Sequence, residues 1–148
     1  MADLKRKGDL AELMVAADLV RQGYRVAFPY GEDWDADLLV ERGGRFERVQ
    51  VKYTTARNGI VEIRSRSHSL TGGRVRRTKY YTAETIEWLA AYEPTTRQCL
   101  YVPAAELGEG RSTITLRLAP TRNNQRSGIR MAAGYLVMEP AGFEPAAS

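Results

Sequence analysis

Leu10, Leu13, Met14, Ala17 and Val20 recur at spacings of three and four residues, so the N-terminal segment is expected to form a helix with one face in a core. The run Lys7-Gly8-Asp9-Leu10-Ala11-Glu12 opens that helix, which extends to about Gln22, where Gly23 supplies the stop. Beyond Gly23 the apolar period shortens to two. Strands are expected over residues 24–28, 36–42, 46–53 and 60–64, with turn-forming residues between them. Thr82 then predicts the cap of a second helix reaching about Ala91, with Ile86, Leu89 and Ala90 inward and Glu84 and Glu87 outward. Two further strands, residues 99–102 and 113–118, follow, and no internal repeat is visible. Helices and strands mixed in this way describe an α/β domain.

Within this pattern one hairpin is chemically unusual. Asp37-Leu38-Leu39-Val40 leads through Gly43-Gly44 to Val49-Gln50-Val51-Lys52. Side chains alternate along a strand, so Gln50 and Lys52 share one face while Val49 and Val51 point into a core. An amide and an amine on one face, with the carboxylate of Asp37 on the preceding strand, form a compact polar group on an apolar framework, suited to a metal ion and a phosphate. Glu12, at the edge of the helical stripe, adds a carboxylate able to reach the mouth of an adjacent sheet. Glu32, Asp33 and Asp35 are rivals to Asp37 as ligands. Asp37 is preferred because it begins a strand, where backbone pairing can fix it.

A Glu on the first helix, an Asp on the second strand and a Glu or Gln two residues before a Lys on the third strand resembles the pattern of the PD-(D/E)XK nucleases. The QxK form seen here is similar to the branch that includes group I intron homing endonucleases, with archaeal Holliday junction resolvases more distant. The resemblance covers roughly residues 5 to 65, and Tyr101-Val102-Pro103, Asn123-Asn124-Gln125 and Ile129-Arg130 extend it less specifically. Ala36 stands where the family has its proline, and Gln50 where it has a second acid. The resemblance implies a restriction-endonuclease-like core, a central mixed sheet of about five strands flanked by helices. It also implies that Glu12, Asp37, Gln50 and Lys52 are catalytic. Asp37, the Gln50 side-chain oxygen and the Val51 carbonyl would bind Mg2+, or Mn2+ in its place, with Glu12 holding the metal's water shell or a second ion. The activity implied is endonucleolytic cleavage of double-stranded DNA, with a junction resolvase, a restriction or repair nuclease and an inactive DNA-binding relative as alternatives. Cutting a duplex takes two active sites, so a homodimer or homotetramer is expected.

Charge supports a nucleic-acid partner. Arg57, Arg64, Arg66, Arg74, Arg76, Arg77 and Lys79 stand against the single acid Glu62, giving this segment +6 in a chain of net +4, so the remainder sums to −2. Clustered arginines attract a polyanion, and Ser65, Ser67, Ser69, Thr71 and Tyr80 can donate to phosphates. His68 lies in the same segment, read as a polar loop, and joins the candidate DNA contacts. As the only histidine it has no second imidazole with which to build a metal site. The one cysteine, Cys99, cannot form an internal disulfide and reads as a small buried hydrophobe. At 148 residues the chain suits one core. Residues 1–139 are expected to form a single nuclease domain, with 140–148 a mobile tail. Neither a membrane span nor a signal peptide is evident, so a cytoplasmic location is expected. Gly142-Phe143-Glu144-Pro145 matches the translated complement of a transfer-RNA T-arm consensus, through overlap with such a gene or by coincidence.

Overall fold

The computed structural model describes residues 2–71, 74–119 and 128–138, with side chains for all of these except 2 and 67–77. Helix α1 spans Ala2–Arg21, starting earlier than the sequence pattern suggests. Ion pairs Lys5–Asp9 (3.1 Å) and Lys7–Asp3 (3.4 Å), each spaced by four residues, brace the added turns. The helix stops as expected: Gly23 takes φ +100°, and the amides of Gly23 and Tyr24 close back onto the carbonyls of Val20 and Leu19.

The buried face of α1 differs from the expected one. Ala11, Val15, Ala16 and Leu19 are buried and Met14 is half-buried, whereas Leu10, Leu13, Ala17 and Val20 are exposed. Both stripes have helical spacing. The one that packs is rich in small side chains, which let the helix lie close on the sheet.

The central sheet has five strands in the order β1 (Arg25–Ala27), β2 (Leu38–Arg42), β3 (Arg45–Tyr53), β7 (Trp88–Glu93) and β8 (Gln98–Pro103). All its pairings are antiparallel except β3 with β7. The β2–β3 hairpin turns at Gly43 and Gly44, both at positive φ (58° and 78°), as a two-residue hairpin turn requires. Strand β4 (Ile60–Arg64) pairs with β9 (Thr113–Arg117) as a separate two-stranded ribbon, and β5 (Arg66–Thr71) pairs with β6 (Arg74–Tyr80).

Two sequence expectations are corrected here. The second helix does not form: Thr82 caps a single turn, donated to by Glu84 and closed by Thr85 and Ile86, after which Trp88–Glu93 runs as a fully buried strand. A strand covered on both faces reads as a continuous apolar run, and Trp88 to Tyr92 is short enough to imitate a helical stripe. Glu87, expected to face outward, instead takes Arg48 side-on and also accepts from its backbone amide at 2.7 Å. The basic segment is likewise no loop, since its backbone forms the β5–β6 hairpin. Serine and threonine alternating with arginine carry no apolar period, so this hairpin has no hydrophobic signature in the sequence.

Three layers result. On one face of the sheet α1 buries Val49, Val51, Ala90 and Tyr101. On the other, the β4–β9 ribbon and the 3-10 turn Ala104–Leu107 cover Leu89, Ala91, Leu100 and Val102 with Val61, Ile63, Ile114 and Leu116. Cys99 is buried and free, as expected. Expectations for Asn123 to Gln125 and the tail 140–148 fall outside the described residues.

Candidate active site

The site lies where β2 begins beside a longer β3. Leu38 pairs with Val49, so the last four residues of β3, Gln50 to Tyr53, run past the start of β2 and leave a notch on that side. Asp37 fills that notch: its amide donates to the Val49 carbonyl and its Oδ2 accepts from the Val51 amide, both at 2.9 Å. Amide and carbonyl of one strand residue project from the same edge, so the Val51 carbonyl also opens toward Asp37. The three rival acids are placed differently. Asp35 pairs with Lys79, Asp33 is exposed, and Glu32 stands on the rim.

Glu12 comes from α1 one residue beyond the buried Ala11, and its carboxyl shares a hydrogen bond with that of Asp37. Burial, then the adjacent Asp37 charge, raises Glu12 to about 7, and burial raises Asp37 despite its bond from Val51 and the nearby Lys52. Two carboxyl groups this close cannot both carry charge cheaply unless a cation joins them. The two line a hollow of about 240 Å³ with Trp34 and Ala36, the residue at the family's proline position.

Gln50 and Lys52 share the face away from α1, as the alternation requires, because their register partners Leu89 and Ala91 belong to the opposite core. Gln50 is buried at 8 % exposure. Lys52 donates to the Arg66 carbonyl at 3.3 Å, and its ammonium stands 5.4 Å from the centre of the Tyr81 ring. Burial lowers its proton affinity; Asp37 opposes that shift and Arg64 adds to it. Tyr81 and the Arg66 carbonyl are positioning groups with no signal in the sequence, because both reach Lys52 through the hairpin connection.

The candidate DNA contacts separate into groups. Arg57 and Arg64 line a hollow of about 720 Å³ with Lys52, Tyr53 and Lys7. Lys7 was not singled out by the sequence. Arg66 is half-buried, and among the described residues its Nε meets no acceptor although it is shut from solvent. Lys79 is held by Asp35. The side chains of His68, Arg74, Arg76 and Arg77 lie outside the described residues.

Among the described residues no group of three or more His, Cys, Asp or Glu side chains is placed to hold a metal ion; Glu12 and Asp37 converge as a pair, and the Gln50 amide and Val51 carbonyl are the remaining candidate oxygens. That donor set still fits a hard divalent ion, which accepts carboxylate, amide and carbonyl oxygens alike.

A family model for PD-(D/E)XK endonucleases matches residues 2–138. The chain belongs to the PD-(D/E)XK endonuclease family. The solved structure of a bacterial homing endonuclease, I-Ssp6803I, superposes on this endonuclease with a TM-score of 0.68 at 23 % identity, over 88 % of this chain and 86 % of that one. At that identity the likeness shows a shared fold, here the restriction-endonuclease-like one. No curated protein matches the endonuclease. No helix among its described residues is long and apolar enough to cross a membrane.

Proposed function

We propose that this endonuclease hydrolyses phosphodiester bonds in double-stranded DNA at a specific site, in the manner of a homing endonuclease, with Mg2+ or Mn2+ as cofactor. The observation that carries the reading is the carboxyl pair Glu12–Asp37 in the β2–β3 notch, with Asp37 bonded to the Val51 amide, between Gln50 and Lys52 on β3. A bound divalent ion supplies a Lewis acid for the phosphoryl oxygen and lowers the pKa of attacking water.

The protein's own groups do the rest. Asp37, fixed by two backbone bonds, would hold the cation through its carboxylate, one oxygen of which accepts from the Val51 amide. Gln50 offers a neutral oxygen from a rigid central strand. Lys52, tethered by the Arg66 carbonyl and facing the Tyr81 ring, places a positive charge beside the phosphate as negative charge builds on it. Glu12 would hold the ion's water shell or a second ion.

Cutting both strands takes two such sites. The outer stripe of α1, with Leu13 61 % and Val20 59 % exposed, supports a homodimer or homotetramer built on that face.

Purified protein incubated with linear duplex, four-way-junction and single-stranded pools, with and without Mg2+, tests the reading. Metal-dependent cleavage confined to linear duplex is expected. Preference for the junction would transfer the protein to a resolvase activity, and duplex binding without turnover in any metal would mark an inactive relative. Gln50→Leu should abolish cleavage yet leave duplex binding in Ca2+ intact, while Gln50→Glu, which keeps an oxygen ligand, should retain metal-dependent activity. Full activity in Gln50→Leu would refute the assignment.

A further inference from the structure

The outward face of the β4–β9 ribbon has no place in the chemistry above. Its inward side chains Val61, Ile63, Ile114 and Leu116 are anchored in the core, so the ribbon is rigid. Its outward positions form three cross-strand pairs: Ile60 with Arg117, Glu62 with Thr115, and Arg64 with Thr113. Both edges open onto hollows. The one of about 720 Å³ on the β4 side contains Lys52, and one of about 410 Å³ on the β9 side is lined by Arg111, Thr113, Thr115 and Arg117. The face therefore continues directly from the catalytic lysine.

Its composition is informative. A surface that only neutralised phosphates would be uniformly basic. This one carries the exposed carboxylate Glu62 at its centre, opposite the exposed hydroxyl and methyl of Thr115, with arginines at both ends. Arginine to guanine, threonine to a thymine methyl or either base, and glutamate to the cytosine amino group are the pairings used to read base edges. Two strands fit the width of a major groove, and five residues at about 3.4 Å each cover roughly 17 Å, or about five base pairs. Arg117 is steadied for such a task by its Nε bond to the Ala119 carbonyl at 3.2 Å. Ser65 locks the far end of the ribbon, its amide on the Ser112 carbonyl at 3.0 Å and its hydroxyl on that of Arg111.

We infer that the outward face of the β4–β9 ribbon lies in the major groove of the duplex and reads base edges next to the cut, through Glu62, Thr115 and Arg117. The inference rests on the duplex-DNA reading above. The experiment retains a randomised duplex pool on the purified protein in Ca2+ and sequences what is held, for the parent and for Glu62→Gln, Thr115→Val and Arg117→Lys. These variants keep size and strand propensity, and thermal melting checks that each remains folded.

The parent should enrich defined bases at a run of about three to five positions. Each variant should relax a different position in that run, with discrimination there falling roughly 5- to 100-fold. The salt dependence of total binding should stay at the parent's slope, because Arg117→Lys keeps its charge and neither of the other two removes a cation. If the parent retains duplex but its base preference is untouched by all three variants, the inference is overturned and the DNA reading stands. A parent that retains duplex with no base preference overturns it equally. If the parent retains no duplex, the DNA reading itself fails.

Discussion

Glu93 offers the sharpest test of how the site is held, although it touches no substrate. It ends β7 with 0 % exposure, and its carboxylate accepts from the Ala56 amide (2.8 Å), the Thr96 amide (2.8 Å), the Thr96 hydroxyl (2.9 Å) and the Thr95 hydroxyl (2.5 Å). Ala56 lies in the segment that carries the chain from Lys52 to β4, so this one carboxylate ties the connection between β3 and the ribbon to the end of β7. Burial alone would raise its pKa, but the bonds from Thr95, Ala56 and Thr96 outweigh burial and lower it from 4.5 to about 2. Read as free energy that depression is at most ~3 kcal/mol, and screening by solvent near this surface turn brings it to about 2 kcal/mol.

The sign follows from linkage. A carboxylate with a depressed folded pKa contributes stability that is fully present above its unfolded value of about 4.5 and is lost as pH falls through the folded value of about 2. Glu93→Gln removes the charge and turns an NH2 toward groups that are themselves donors. At pH 7 the variant should lose about 2 to 4 kcal/mol, a large share of the roughly 5 to 15 kcal/mol typical of a domain. At pH 3 the gap should shrink to roughly half or less, because the parent has begun to lose the same contribution. Urea titrations followed by Trp88 fluorescence at both pH values measure this. Parallel pH–stability curves for parent and variant would refute the reasoning.

Replacing both Lys7 and Arg57 with Ala should weaken duplex binding equally across sequences and lower the log-log salt slope by about 0.9 per lost phosphate contact, read by filter binding at several salt concentrations. An unchanged slope would remove both from the DNA track. Lys52→Ala should cut turnover by two or more orders of magnitude with duplex affinity in Ca2+ nearly unchanged, measured by single-turnover cleavage, since its charge acts on the phosphate as negative charge builds there. Leu13→Glu with Val20→Glu should shift the mass seen by light scattering toward monomer while the melting temperature of the fold moves little, because both side chains are already exposed. Val15→Ala, at a fully buried position under the sheet, should instead cost about 1 to 3 kcal/mol in the same denaturation assay.

By itself the sequence determined the hairpin and which polar residues it presents. Asp37, Gly43-Gly44, Gln50 and Lys52 are local in the chain, and period-two alternation with a glycine turn fixes which of them share a face. The stop at Gly23 was legible for the same reason, as a backbone requirement met by one residue. Tertiary structure decided what depends on two-sided burial or on distant partners. Whether Trp88 to Tyr92 is helix or strand turns on its being covered from both faces, and a short apolar run reads alike in either case. Which stripe of α1 faces inward depends on how closely the sheet lets the helix approach, so Ala11 and Val15 displaced the larger Leu10 and Leu13. The meeting of Glu12 with Asp37, the tether of Lys52 on Arg66 and the bond from Ala56 to Glu93 each join residues at least fourteen apart in the chain. No local period or propensity encodes such a pair; only the packing of α1, β3, β5 and β7 brings them within reach.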